Sequence, residues 1–184
     1  SLETIMSNPK TPKASTRTSP AAGRGDTGRP AYPARRGAHG YAVAEVSSVY
    51  HVDPQARIEL IRHGVPASSV GDLSARMGIS KEVLLSSLGL SRATVSRKEK
   101  HDNPLSRDES ERVLGVEMLI GKVQAMVDQS GNPDGFDAAR WLGAWLVNPA
   151  STLAGATPAS YMDTFEGQRM LADLLAMSQS GVYA

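Results

Sequence analysis

The chain has 184 residues, of which 40% are hydrophobic and none is cysteine, and its formal net charge is +1. This length provides one ordinary domain with extensions, and the lack of cysteine excludes disulfides, thiolate metal sites and cysteine nucleophiles. No apolar run approaches the roughly 20 residues of a membrane-spanning helix, and residues 1–40 lack the apolar core of a signal peptide. We therefore expect a cytoplasmic protein without a membrane partner.

The charge is distributed unevenly. Residues 1–40 carry seven Lys or Arg against two Asp or Glu, whereas residues 101–184 carry five against eleven. A basic front and an acidic back indicate two different partners, with a polyanion for the front, although uneven charge without a function is the simpler alternative. Residues 1–40 also contain five Pro and five Gly and almost no large apolar side chains, which predicts a disordered basic leader.

The first ordered elements are predicted from residue 41 onward. Residues 41–52 are rich in Val and Tyr, which favours a short strand or an ordered arm and makes them the only sheet candidate. Asp53 then caps a helix that has Pro54 in its first turn. Pro66 is predicted to begin the next helix, which ends near Met77.

The stretch from Ser80 to His101 has the pattern of a helix-turn-helix. Ser80 caps a short helix over 81–88, Gly89 supplies the turn, and Ser91 caps a second short helix. The second helix would enter a DNA major groove, where arginine reads guanine and lysine contacts phosphate. The predicted DNA-binding residues on its outer face are Ser91, Arg92, Ala93, Ser96, Arg97 and Lys100.

Two residues depart from the usual helix-turn-helix pattern. Leu85 stands where such motifs prefer a small residue at the helix crossing, and Lys98 stands where they usually bury an aliphatic one. Lys98 could bury its stem and keep its ammonium in water. The alternative is a helix pair kept only for packing, with its charges on a solvated face.

The longest helix begins after a capping box formed by Ser106 and Glu109. An apolar stripe along this helix predicts core packing, part of which could serve a dimer contact, and it comprises Val113, Val116, Ile120, Val123 and Val127. Shorter helices follow: one contains Phe136, Leu142 and Trp145 and ends at Asn148-Pro149, one spans 158–162, and one runs from Phe165 down to Gly181. The fold class is therefore all-α, with about eight helices.

From about Ala56 to Ala184 the chain resembles the Xre/MbcA/ParS antitoxins, which are the partners of RES-domain toxins. The matching pieces, in order, are Trp145-Leu146, Asn148-Pro149, Leu153, Gly155, Thr157-Pro158, Thr164, Gly167, Leu174-Leu175 and Gly181-Val182-Tyr183-Ala184. The stretch from Leu105 to Arg112 also fits the family. Ala154 departs from it, because a glycine often precedes Gly155.

The resemblance, which does not cover the predicted leader at 1–40, implies a type II antitoxin. The rest of the chain divides into a helical region (41–104), with the Xre-like helix-turn-helix at about 80–101, and a small helical toxin-binding domain (105–184). Its toxin would be an NAD-consuming, ADP-ribosyltransferase-like enzyme whose NAD site the antitoxin's C-terminal end blocks. A homodimer would bind operator DNA and repress its own operon. No cofactor or metal is implied. The toxin-binding residues would be Thr157, Pro158, Gly167, Gly181, Val182, Tyr183 and Ala184.

The chemistry of the last four residues fits this role. The ring of Tyr183 suits a nicotinamide pocket, and the Ala184 carboxylate could pair with a phosphate-binding arginine. The main alternative is a stand-alone transcriptional regulator without a toxin partner. An enzyme is not expected, because the four histidines are scattered and no Gly-rich phosphate loop or nucleophile elbow occurs.

Overall fold

The structure is a computed structural model that describes residues 49–131 and 133–179, and in these ranges it is all-helical. The predicted leader, most of the arm at 41–52 and residues 181–184 lie outside the described residues. The α-helices are α1 (Pro54–His63), α2 (Ser69–Met77), α3 (Lys81–Ser87), α4 (Arg92–Lys100), α5 (Arg107–Ser130), α6 (Ala138–Val147) and α7 (Phe165–Gln179). Three short 3-10 helices span Val49–His51, Ser151–Leu153 and Pro158–Tyr161.

Helix starts follow the capping residues that the sequence contains. Four predicted caps are confirmed, because each side chain accepts a hydrogen bond of 3.1–3.3 Å from a backbone N–H three residues later: Asp53, Ser80, Ser91 and Ser106. Ser106 and Glu109 complete the predicted capping box, since the Glu109 carboxylate accepts from the Ser106 N–H at 2.6 Å. These bonds satisfy backbone donors that a free helix end leaves unpaired.

The prediction that Pro66 begins a helix is wrong by three residues, because α2 begins at Ser69. Pro66 instead forms a single antiparallel bridge with Pro104, and the Leu105 N–H donates to the Val65 carbonyl at 2.9 Å. The segment around Pro66 is therefore tied in extended form to the chain that precedes α5. The helix starts only where that pairing ends.

Helix α5 is the centre of the fold. It packs against α1, α6, α7 and the 3-10 helix Val49–His51. The predicted stripe from Val113 to Val127 is buried, as is Leu114 on another side of the helix. Because these elements all pack on the same helix, a shift of side chains on one face of α5 can alter the packing on its other faces.

Two local details differ from the sequence prediction. Residues 49–51 form a 3-10 helix instead of a strand. The predicted short helix after Thr157 is present as a 3-10 helix over 158–161. Phe136 precedes α6, which is capped by Asp137. Ala154 has a φ of 52°, a left-handed conformation that glycine adopts at lower cost. That geometry explains why a glycine is common at this position.

Candidate functional site

The helix-turn-helix forms as the sequence predicts. Helices α3 and α4 are joined by Gly89 at a φ of 60°, and the Leu90 N–H closes the turn by donating to the Leu85 carbonyl at 2.8 Å. The predicted core of the pair is buried and consists of Leu84, Leu88, Leu90 and Val95. Leu85 is buried as well, so the fold accommodates this larger residue at the helix crossing.

The outer face of α4 is open to solvent. All six predicted DNA-binding residues are exposed: Ser91, Arg92, Ala93, Ser96, Arg97 and Lys100. Arg92 lies 3.4 Å from the Glu82 carboxylate, and both side chains are largely exposed. Among the described residues neither Arg97 nor Lys100 forms an ion pair. These two cations are thus available to an anionic partner.

Val95 is the only buried residue of α4. Besides the exposed pair of Arg92 with Glu82, two less exposed ion pairs join this helix to its neighbours. Lys81 of α3 pairs with Glu99 at 2.5 Å. Lys98 pairs with Glu109 at the start of α5, and both side chains are mostly buried. This pairing explains the unusual Lys98, whose stem packs inward while its ammonium meets a carboxylate.

The same pairing shifts the pKa of Glu109. Burial alone would raise that pKa, but hydrogen bonds from Lys98 and from Ser106 outweigh burial, so the pKa lies below its ordinary value. A carboxylate with a lowered folded-state pKa stabilises the fold above its unfolded pKa. That stabilisation is lost as pH falls through the folded-state pKa.

Replacing Glu109 by Gln should therefore give a pH-dependent loss of stability. Glutamine keeps the capping box but loses the charge that pairs with Lys98. We expect the variant to be less stable by about 1 kcal/mol near pH 7, with the difference narrowing below pH ~4.3. Urea unfolding between pH 3 and pH 7 measures it. Glu111→Gln, on the same helix but without an ion pair among the described residues, is the control. A difference that stays constant with pH would contradict the assignment.

The turn of the helix-turn-helix is held from α5. The Arg112 guanidinium donates through Nη1 to the Leu88 carbonyl at 2.8 Å and to the Gly89 carbonyl at 3.3 Å. Its Nε donates to the Asp108 carbonyl at 3.1 Å. A side chain on Gly89 would also press on Arg112 and on Asp163. The turn is thus packed against residues far along the chain.

Two of the predicted toxin-binding residues, Pro158 and Gly167, lie where the C-terminal helices pack together. Pro158 is buried within its 3-10 helix. A side chain on Gly167 would collide with the Tyr161 carbonyl, so α7 can approach this 3-10 helix only through a glycine. Thr157 is half-buried. Gly181, Val182, Tyr183 and Ala184 lie outside the described residues.

The outer face of α7 carries exposed apolar side chains between charges. Phe165 is 63% exposed, the highest value among the large hydrophobic residues described, and Met170 and Met177 are partly exposed on the same helix. Glu166 and Arg169 form a two-bond pair at 2.5 and 3.1 Å, which lowers the pKa of the Glu166 carboxyl. A mixture of apolar and charged groups is typical of protein interfaces.

A buried ion pair fixes α2 to the central helix. Arg76 donates two hydrogen bonds to the Glu117 carboxylate, at 2.7 and 2.9 Å, and Glu117 is only 3% exposed. These bonds raise the pKa of Arg76, and nearby Asp72 and Asp137 add to the effect. Sequence reasoning missed this pair, although Glu117 falls on the apolar face of α5, where a lone charge signals a buried partner.

The described residues were also compared with the patterns of metal sites and membrane-spanning helices. Across residues 49–131 and 133–179 no cluster of three or more His, Asp or Glu side chains has the arrangement of a metal site. None of the helices described is long and apolar enough to cross a membrane.

The fold and the exposed α4 define a helix-turn-helix DNA-binding protein with an appended helical domain. Residues 56–116 match the antitoxin Xre-like helix-turn-helix domain, and residues 134–181 match the antitoxin Xre/MbcA/ParS C-terminal toxin-binding domain. The chain belongs to the Xre/MbcA/ParS family of antitoxins. Membership of that family favours a regulator without catalytic activity.

Two relatives match most of the chain. The "Prs ADP-ribosylating antitoxin" of Sphingobium sp. (strain YBL2) is 41% identical over 137 residues, which cover 74% of this chain and 86% of that protein. The "Antitoxin Xre" of Yersinia enterocolitica serotype O:8 / biotype 1B (strain NCTC 13174 / 8081) is 23% identical over 127 residues, or 69% of this chain and 80% of that protein.

Proposed function

We propose that this chain is a type II antitoxin that neutralises a RES-domain toxin by direct binding and represses its own operon. The observation that carries the proposal is the presence of both family domains on one chain, at 56–116 and 134–181. The two activities use separate surfaces: α4 for operator DNA, and the C-terminal helices for the toxin.

The toxin half of the proposal rests on charge and on exposed apolar surface. Residues 101–184 carry eleven acidic against five basic side chains, which complements the cationic pocket that an NAD-binding toxin requires. Phe165 and Met170 on α7 supply apolar contact area. A relative whose name carries the word "ADP-ribosylating" agrees with a toxin that uses NAD.

Residues 181–184 follow α7 in the sequence. We propose that Gly181–Ala184 occupy the NAD site, with the Tyr183 ring in the nicotinamide region. Thr157, Pro158 and Gly167 then act mainly by shaping the domain that presents this end.

The proposal as a whole is tested by mixing. Purified chain is added to a purified RES-domain toxin, and NAD consumption and complex formation are followed together. We expect inhibition to be complete at a fixed ratio of chain to toxin. Binding to operator DNA without any binding to the toxin would favour a stand-alone regulator instead.

The DNA half of the proposal rests on the exposed cations of α4. A homodimer would present two copies of α4 to half-sites about one helical turn apart. Arg97 and Lys100 have no ion-pair partner among the described residues, so they can contact DNA without first breaking a pair. In this proposal Arg97 reads guanine and Lys100 contacts phosphate.

Replacing Arg97 by Ala should weaken operator binding by roughly tenfold to a hundredfold, because a base-reading arginine is worth about 1–3 kcal/mol. Toxin inhibition should not change, since the two surfaces are separate. Electrophoretic mobility shifts with the upstream region of the gene measure the effect. Arg140→Ala, an exposed arginine of α6 paired with Asp137, is the matched control. Equal losses in both variants would point to general loss of charge instead of base reading.

A further inference from the structure

Helix α4, which the proposed function assigns to DNA reading, buries little of its own surface. Val95 is its one buried residue, and its ion pairs are Lys81 with Glu99, Lys98 with Glu109 and the exposed Arg92 with Glu82. Its angle to α3 therefore depends on the turn around Gly89. A helix that reads base edges must be placed to within a fraction of an ångström, so whatever fixes this turn affects DNA recognition.

Arg112 fixes the turn from outside the helix pair. Its guanidinium makes hydrogen bonds to the carbonyls of Leu88 and Gly89, which stand at the C-terminal end of α3. A third bond to the Asp108 carbonyl holds the side chain along α5. Arginine suits this task because its planar fork presents several donors in fixed directions, which a lysine ammonium does not.

The backbone of Arg112 is in turn bonded by a residue of the 134–181 domain. Gln168 of α7 is only 5% exposed, and its Nε2 donates to the Arg112 carbonyl at 3.0 Å and to the Met162 carbonyl at 2.9 Å. The amide fits against Gly115, where any side chain would collide with it. One buried side chain thus joins the 134–181 domain to the residue that holds the turn.

We propose that Arg112 and Gln168 are positioning residues for DNA reading, and that Gln168 acts through Arg112 from within the toxin-binding domain. The proposal rests on the operator-binding half of the proposed function. Neither residue needs to touch DNA. Loss of either should loosen the orientation of α4 and so reduce discrimination between operator and other sequences, while phosphate contacts remain.

The test uses the full chain and compares its Kd for the upstream region of its gene with its Kd for a random duplex, over a range of salt concentrations. The variants are Arg112→Lys, which keeps the charge, and Gln168→Met, which keeps the length. We expect each to reduce the ratio of the two Kd values by about tenfold, with the slope of log K against log salt unchanged. Arg107→Lys, an exposed position on the same helix, is the control.

The outcomes separate the possibilities. A further variant, Arg112→Met, removes the charge of Arg112. If Arg112 contacts a phosphate, this variant should lower the slope of log K against log salt by about 0.9, and that result would overturn the positioning role. An unchanged Kd ratio in folded Arg112→Lys would also overturn it. If only Gln168→Met keeps the wild-type ratio, the part assigned to Gln168 is wrong. If Gln168→Met does not fold, the ratio of Kd values for Arg112→Lys decides whether Arg112 positions α4. A wild-type chain that does not prefer its own upstream region would refute operator binding itself.

Discussion

Replacing Arg76 by Ala should cost the fold about 3 kcal/mol, the largest loss of stability that we expect from any single substitution considered. The reason is the carboxylate that remains. Glu117 is 3% exposed, and both of its oxygens accept hydrogen bonds from the Arg76 guanidinium. Removing one partner of a buried pair leaves an uncompensated charge, which typically costs about 3–5 kcal/mol. We take the lower end because Arg76 keeps 36% of its side chain in water.

The measurement is urea or thermal unfolding at neutral pH. For a chain of this size about 3 kcal/mol corresponds to a Tm lower by roughly 10 °C. Arg62→Ala is the matched control, because Arg62 forms an exposed pair with Glu59 on α1 and should change stability by less than about 0.5 kcal/mol. Arg76→Lys should fall between, since an ammonium cannot make both bonds.

A double replacement separates the pair from the buried charge. Arg76→Met combined with Glu117→Met should recover most of the stability, because apolar side chains of similar length leave no unpaired group. Two results would contradict this explanation: a cost of less than about 1 kcal/mol for Arg76→Ala, or a double variant no more stable than Arg76→Ala. Either would show that the unpaired Glu117 carboxylate is not the cause of the lost stability.

The local elements of this fold could be predicted from the sequence because their determinants lie within a few residues of each other. The caps at Ser80, Ser91 and Ser106 reach only three residues ahead, and Gly89 marks the turn directly. The exposed face of α4 follows from helical periodicity once those ends are placed. The helix-turn-helix and its six outward residues can therefore be predicted from the sequence.

The contacts between elements could not be predicted in the same way. Arg76 meets Glu117 across 41 residues, and Gln168 meets the Arg112 carbonyl across 56. No local pattern specifies such partners. The start of α2 was misplaced for the same reason, since Pro66 is held by a pairing with Pro104 that only the folded chain brings about.

Removing the Phe165 ring should separate binding to the toxin from folding of the antitoxin. Phe165 is 63% exposed at the start of α7, so Phe165→Ala should leave stability nearly unchanged. At an interface the same ring would be buried in the partner. Truncating an aromatic anchor there typically costs at least about 2 kcal/mol, or roughly 30-fold in Kd.

The measurement is the Kd for a purified RES-domain toxin, with unfolding of the free variant as the check on folding. Ile58→Ala is the matched control, because Ile58 is 45% exposed but lies on α1, within the helix-turn-helix match. We expect Ile58→Ala to bind the toxin like the wild type. Equal weakening in the two variants would show that loss of any exposed apolar group, and not the α7 surface, accounts for the effect.

Deleting residues 181–184 should act differently from Phe165→Ala, because the two changes affect different steps. The deletion leaves the α7 surface, so the shortened chain should still bind the toxin. It removes the segment proposed for the NAD site, so NAD consumption should continue inside the complex. Phe165→Ala keeps that segment, so the toxin should be fully inhibited whenever enough antitoxin is added to overcome the weaker Kd. If the shortened chain still inhibits the bound toxin fully, α7 and its neighbours block the toxin without residues 181–184.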